Sequence, residues 1–157
     1  MGESGELVIR QLEPAIMASK YIGMPEETAK AWRNSWFHTG DLARLDEEGD
    51  LFWLSRMSER IRVKGEMVSA YEIEEGILTH PAVTDCAVIG IPDESGEEQV
   101  KAFVTLKKHK TLALKELRLF CAPIMSRFML PEALEVLTEM PRTDTGKAAK
   151  SILQKQQ

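Results

Sequence analysis

Three short stretches of this chain set reactive side chains beside glycine. In Gly40-Asp41 a carboxylate directly follows a residue free to turn, at the expected start of a strand. A carboxylate so placed can accept two hydrogen bonds from a vicinal diol, the logic by which an acidic residue grips the ribose of a dinucleotide. On its own, Asp41 reads more simply as a turn-former. Arg56, Arg60, Arg62 and Lys64 fall within nine residues and run into Gly65. Guanidinium groups suit phosphate because they offer paired donors in one plane. The competing reading is a solvated strand face with Glu59 and Glu66 as partners. Gly65 would let a ligand chain approach the backbone closely, or merely turn the strand. Gly146-Lys147 places an ammonium on a glycine loop near one end. It is similar to the tail of a phosphate-binding P-loop but fails the motif, with Pro141 in place of Gly and Ala148 in place of Ser or Thr. No Ser/His/Asp set or Cys/His pair stands at informative spacing. His38, His80 and His109 are too far apart for a local metal motif, so no metal ligands are assigned.

The elements that must hold these groups follow from pattern. Residues 5–10 read as a strand, residues 11–24 as loop, and Pro25 to Trp32 as a short helix with proline at its first position. Leu42 to Leu45 and Leu51 to Leu54 flank an Asp/Glu/Gly turn and read as a hairpin. Ile61 to Lys64 alternates, which puts Arg60, Arg62 and Lys64 on one face. Ser69-Ala70-Tyr71-Glu72 is a capping box opening a helix to about His80, with Ile73, Ile77 and Leu78 on its inner side. Residues 83–91 and 100–107 read as paired strands, with Val100, Ala102, Val104 and Leu106 facing one way. Residues 112–127 read as an amphipathic helix with a stripe of Leu114, Leu117, Phe120, Cys121, Ile124 and Met125. A last strand near 134–137 and a terminal helix within 147–153 complete the chain.

The expected fold class is therefore α+β, a small domain with an antiparallel sheet and packed helices over residues 58–157. Residues 1–57 are β-rich, with unpaired strands and exposed apolar surface expected. They are too few for a robust domain and read as the end of a larger N-terminal one. The 157 residues, 43% of them hydrophobic, suffice for a real core. A formal net charge of −5 argues against a general nucleic-acid binder. No apolar run approaches the ~18 residues of a membrane span, and no signal-peptide core is present. Cys86 and Cys121 sit in apolar segments and read as reduced core residues. A cytoplasmic location is expected.

No feature alone names a function; their order does. Trp36-Phe37-His38-Thr39-Gly40-Asp41-Leu42-Ala43, the turn at Asp46 to Gly49, Arg56 through Gly65, Tyr71-Glu72-Ile73-Glu74, His80-Pro81-Ala82-Val83 and Pro141-Arg142-Thr143-Asp144-Thr145-Gly146-Lys147 occur at one spacing. This resembles, over essentially the whole chain, the C-terminal portion of the adenylate-forming superfamily of acyl-CoA synthetases, adenylation domains and firefly-type luciferases. The wording of Lys64-Gly65-Glu66 and of residues 100–104 is most similar to acid–CoA ligases, including crotonobetaine/carnitine-type members.

The resemblance implies a chemistry and a division of labour. Such enzymes join a carboxylate to ATP, with Mg²⁺, release pyrophosphate, and pass the acyl group from the adenylate to CoA or a carrier protein. By position, Lys147 is the expected adenylation lysine. Asp41 and Arg56 are the expected contacts to the nucleotide, Ser58 the hinge, and Gly65 the wall of the CoA tunnel. Arg62 and Lys64 share that face and could meet CoA phosphates by charge. Ser58 and Ser55 depart from the family pattern at the hinge. The phosphate loop and acyl pocket are not in this chain. Its expected partners are thus a missing N-terminal domain, CoA and a small carboxylic acid, with no tightly bound cofactor and no activity alone. The alternatives are a stand-alone docking or regulatory module for CoA or a carrier protein, and a fragment of a carrier-loading adenylation domain.

Overall fold

A computed structural model describes residues 3–93 and 96–155. The chain divides into two compact units, Met1–Ser58 and Glu59–Gln157. Among the described residues, no helix is long and apolar enough to cross a membrane.

The first unit is built on one long strand, β3 (Trp36–Leu45), antiparallel to β1 (Ser4–Ile9), β2 (Trp32–Arg33) and β4 (Leu51–Arg56). A helix, α1 (Pro25–Ala31), begins on Pro25 and carries Glu26 and Glu27 in its first turn, where acids favour the helix dipole. Sequence reading places Gly40 in a turn ahead of the strand. Instead it lies inside β3 with φ +72°, and the strand begins four residues earlier, at Trp36. All four strands find a partner, contrary to the expectation of unpaired strands. The unit nevertheless has little core. Ala43 and Ser55 are its only buried positions among the described residues, while Phe52, Trp53 and Leu54 of β4 stay 38–46% exposed.

The second unit opens with a hairpin, β5 (Arg60–Val63) and β6 (Glu66–Ser69). Its two-residue turn, Lys64-Gly65, has φ of +51° and +85°, the backbone of a type I′ turn. Sequence reading runs Lys64 along the strand face and passes from Gly65 straight to the helix cap, so β6 is missed. Such turns advertise themselves as Asn-Gly or Asp-Gly; a lysine in the first position gives no such signal. Helix α2 (Ala70–Leu78) then starts where the capping box puts it, with the Ser69 hydroxyl accepting from Glu72 N–H. It buries Ala70, Ile73 and Ile77, but Leu78 falls on the outer side.

Three strands form the centre of this unit. β7 (Val83–Pro92) and β8 (Glu98–Leu106) pair antiparallel, and β9 (Ala133–Val136) joins β8 in the parallel sense after a helical crossover. Glu94 and Ser95, part of the expected acidic turn, lie outside the described residues. Val100, Ala102 and Val104 face α2, α3 and the β5–β6 hairpin, in a core with Ile61, Val63, Ile73, Ile77 and Leu117. Phe103 points the other way and is equally buried, against Ala87, Ile89, Met140 and Leu153. The alternation in β8 thus separates two cores rather than core from solvent.

Helix α3 (Leu114–Cys121) is half as long as the spacing suggests. Pro123 has no N–H to continue the ladder, and its ring would clash with the carbonyl four residues back. Ile124 is consequently exposed. Met125 lies over Gly76, its methyl 2.1 Å from where a Cβ on that glycine would sit, and Met129 enters the core from a short 3₁₀ turn. The last helix, α4 (Lys150–Gln154), seats Leu153.

Both cysteines are free and buried, and burial pushes each thiol above its ordinary range, Cys86 the further. Thiol labelling of the native chain should leave both unreacted on the timescale that labels both in denaturant. Rapid native labelling of either would contradict this packing.

Candidate functional site

Asp41 and Arg56 are brought together. They sit opposite each other in the β3–β4 pairing. Arg56 Nη1 lies 3.0 Å from Asp41 Oδ1 and donates to the Thr39 carbonyl at 2.6 Å. The left-handed Gly40 lets the strand turn that carbonyl and the next carboxylate toward one guanidinium. Thr39 is itself tied down, donating to Leu7 O and accepting from Asp41 N–H. Beside this pair, an open cleft of about 460 Å³ is lined by Thr39, Gly40, His38, Arg33 and Glu6 among others. The Glu6 carboxylate is held below its ordinary range, chiefly by its 2.7 Å bond to His38. Sequence spacing gave no sign of this contact between residues on different strands.

Gly65 and Lys64 form the tip of the β5–β6 hairpin, with Arg62 on the strand below. A Cβ built on Gly65 meets nothing within 4 Å, so the glycine is required by its φ and opens onto free space. Its amide donates to Glu97 Oε2 at 3.0 Å. Lys64, being in the turn, does not share the face of Arg62 as the alternation implies. Arg62 has Glu97 at 4.0 Å, so part of its charge is already met.

Lys147 stands on a separate and well-braced loop. Arg142 and Ala148 form an antiparallel bridge, and Thr143 N–H donates to Lys147 O at 2.8 Å. The three residues between are closed by a Gly146 N–H to Thr143 O bond, with Gly146 at φ +81°. This is the three-residue hairpin whose last position demands a left-handed residue. Arg142 reinforces it from below, donating to Gly146 O at 2.7 Å and pairing with Asp85 on β7. Lys147 projects from this frame exposed, with no ion-pair partner among the described residues.

The neighbouring Lys150 is its opposite. It is largely buried and lies 2.7 Å from Glu59 and 2.8 Å from Glu74, whose Oε1 also accepts from Val88 N–H. Burial, the largest influence on Lys150, lowers its pKa, but the two carboxylates outweigh it and hold the amine protonated above its ordinary range. Glu74 is shifted up by burial, because one ammonium shared with Glu59 does not fully compensate its charge. Neither Lys150, Asp85 nor the role of Arg142 is visible in sequence, since each partner lies far along the chain. Ser58 sits in a 3₁₀ turn, Met57–Glu59, at the last position of the first unit.

Removing the cation strands two carboxylates. Lys150→Met should destabilise the chain by on the order of 3 kcal/mol in urea unfolding. The Glu74 carboxyl titrates higher in the folded chain than in the unfolded one. Its contribution is complete below the ordinary value of 4.5 and is lost as pH rises through the raised native value. Glu74→Gln should therefore gain on the parent as pH rises above 4.5 and through the raised native value. A stability difference that stays flat over that range would contradict the buried-triad geometry.

Comparison with known proteins bears on all these features. Residues 72–147 match the family of AMP-binding enzyme C-terminal domains. The chain is 40% identical over 153 residues to the crotonobetaine/carnitine–CoA ligase of Citrobacter koseri, covering 97% of this chain and 30% of that protein. The o-succinylbenzoate CoA synthetase of Bacillus subtilis, solved with its acyl-adenylate intermediate, superposes with a TM-score of 0.83 at 31% identity, over 96% of this chain and 30% of that one. An amide bond synthetase of Marinactinospora thermotolerans superposes with a TM-score of 0.81 at 28% identity, over 99% and 31%. The chain thus spans about a third of the length of the proteins it matches. With its matched segment, relatives and α+β architecture in agreement, the chain belongs to the adenylate-forming AMP-binding enzymes, as their C-terminal portion.

Proposed function

We propose that the chain serves an AMP-forming acid–CoA ligase, with residues 1–57 ending a large nucleotide- and acid-binding domain and residues 58–157 forming a lid that turns about Ser58. The observation that carries this reading is the contrast between two lysines three residues apart. Lys150 is largely buried and spent on Glu59 and Glu74, whereas Lys147 is exposed on a hairpin braced by Arg142. A rigid mount with an uncommitted ammonium is what stabilising charge at a reacting phosphate requires.

In the first half-reaction the substrate carboxylate attacks the α-phosphorus of ATP and pyrophosphate leaves; Mg²⁺ would supply charge neutralisation, and no residue of this chain is assigned to hold it. Lys147 would bridge the carboxylate and α-phosphate oxygens as charge builds there. Asp41, with one oxygen turned to Arg56, would offer the other to a ribose hydroxyl, and Arg56 would approach the ribose or phosphate edge. In the second, the CoA thiol attacks the acyl carbonyl and AMP leaves. The open space at Gly65 would then admit pantetheine, while Arg62 and Lys64 would lie near CoA phosphates. Presenting different faces in turn is a lid motion that completes two sites. CoA is favoured over an amine acceptor because the CoA-ligase relative is 40% identical and the amide bond synthetase 28%. On this reading the enzyme is cytoplasmic and this chain, which covers 30% of the ligase relative, is inert without the large domain.

The test joins this chain to the part of the Citrobacter koseri ligase that it does not match, with crotonobetaine as the acid. Lys147→Ala should slow pyrophosphate release by roughly 10²–10³, and transfer from preformed acyl-adenylate to CoA far less. Adenylation at an unchanged rate would reject the role of Lys147.

A further inference from the structure

The β5–β6 turn is held by two consecutive acids at the start of β8, Glu97 just before the strand and Glu98 its first residue. Glu97 Oε2 accepts from the Gly65 amide at 3.0 Å, and Glu98 Oε2 accepts from the Arg62 amide at 2.8 Å. Glu98 reaches that amide across Gly90 of β7. A Cβ on Gly90 would stand 2.5 Å from Glu98 Oε1 and 2.9 Å from the Ile61 methyl, so the absent side chain is the passage for the carboxylate. Glu97 is fixed in turn by its own amide, which donates to Asp93 Oδ1 at 3.1 Å, and by the Asp93 N–H to Glu97 O bond.

The arrangement is more than the hairpin needs. The β5–β6 ladder already pairs Arg60 to Val63 with Ser69 to Glu66, and the left-handed turn closes itself. What the two carboxylates add is a fixed angle between the hairpin tip and the β7–β8 edge. A charge-assisted bond to a backbone amide is directional and about twice as strong as a neutral one. Held this way, the Gly65 Cα face looks onto empty space instead of folding down on the sheet. The Arg62 guanidinium is also kept within 4.0 Å of Glu97.

We infer that Glu97 and Glu98 are positioning residues for thioester formation, acting through Gly65 and Arg62, with Gly90 as the gap that lets Glu98 reach. Neither touches substrate. The inference rests on the proposed role of the Gly65 face, and it assigns the two half-reactions to separate braces within the second unit. Arg142 and Asp85 hold the Lys147 loop, while Glu97 and Glu98 hold the Gly65 turn. Disturbing the second brace should therefore spare the first half-reaction.

Two readouts test it in Glu97→Ala, Glu97→Gln and Gly90→Ala. In the 157-residue chain, hydrogen exchange at the Gly65 amide should quicken at least about tenfold in Glu97→Ala and at the Arg62 amide in Gly90→Ala, with Glu97→Gln close to the parent. In the joined ligase, the KM for CoA should rise about tenfold in the two Ala variants with pyrophosphate release unchanged, and Glu97→Gln should restore most of the loss. Equal slowing of both half-reactions, or unchanged amide exchange, would overturn the inference. Should the parent joined ligase make adenylate but no thioester, the reading of the Gly65 face fails, while the exchange data still decide whether the carboxylates hold the turn.

Discussion

A three-stranded sheet that is buried on both faces must be covered twice, and this demand organises the second unit. β8 supplies Val100, Ala102 and Val104 to one core and Phe103 to the other, all fully buried. One cover is α2, α3 and the β5–β6 hairpin; the other is the C-terminal segment with Met140 and Leu153. The Gly65 turn belongs to the first cover and the Lys147 loop leads into the second. The Gly65 turn and the Lys147 loop thus each lie at the margin of a packed layer, where backbone can be exposed without unsatisfied buried groups.

Electrostatics then fix what packing leaves free. The largely buried Lys150 ammonium is tolerated because it is paired, and this pairing, like the more exposed one between Arg142 and Asp85, links chain segments distant in sequence. Lys150 ties α4 to Glu74 on α2 and to Glu59, the first residue of the unit. Arg142 ties the Lys147 loop to Asp85 on β7. Such bonds leave Lys147, exposed on its loop, without an ion-pair partner among the described residues. The first unit shows the converse economy, with a sheet that is hydrogen-bonded throughout but leaves Phe52, Trp53 and Leu54 uncovered. An exposed apolar strand face of that kind is a surface that another packed element can cover.

Local rules made much of this legible. The capping box at Ser69, the Pro25 helix start, the β7–β8 pairing and the α+β class all follow from short-range pattern. Where the reading strayed, an identifiable physical effect intervened. Pro123 cut α3 short, a lysine hid the type I′ turn at Lys64-Gly65, and burial on both faces disguised Phe103 as an outward residue. The candidate site residues could be singled out only through the resemblance carried by their order along the chain. Those that brace them, including Asp85, Glu97 and Glu98, could not, because a salt bridge across 57 residues, such as Arg142 to Asp85, has no periodicity to read.

The central claim is that these residues complete an adenylate-forming site whose other half lies in a larger domain. It is met most directly by ATP–pyrophosphate exchange, driven by crotonobetaine, in the Citrobacter koseri ligase deprived of the portion matching this chain. Joining the chain in its place should raise exchange at least about 10²-fold above the truncated protein, the size of one transition-state charge contribution. A joined protein that unfolds cooperatively yet exchanges no faster than the truncated one would contradict the account.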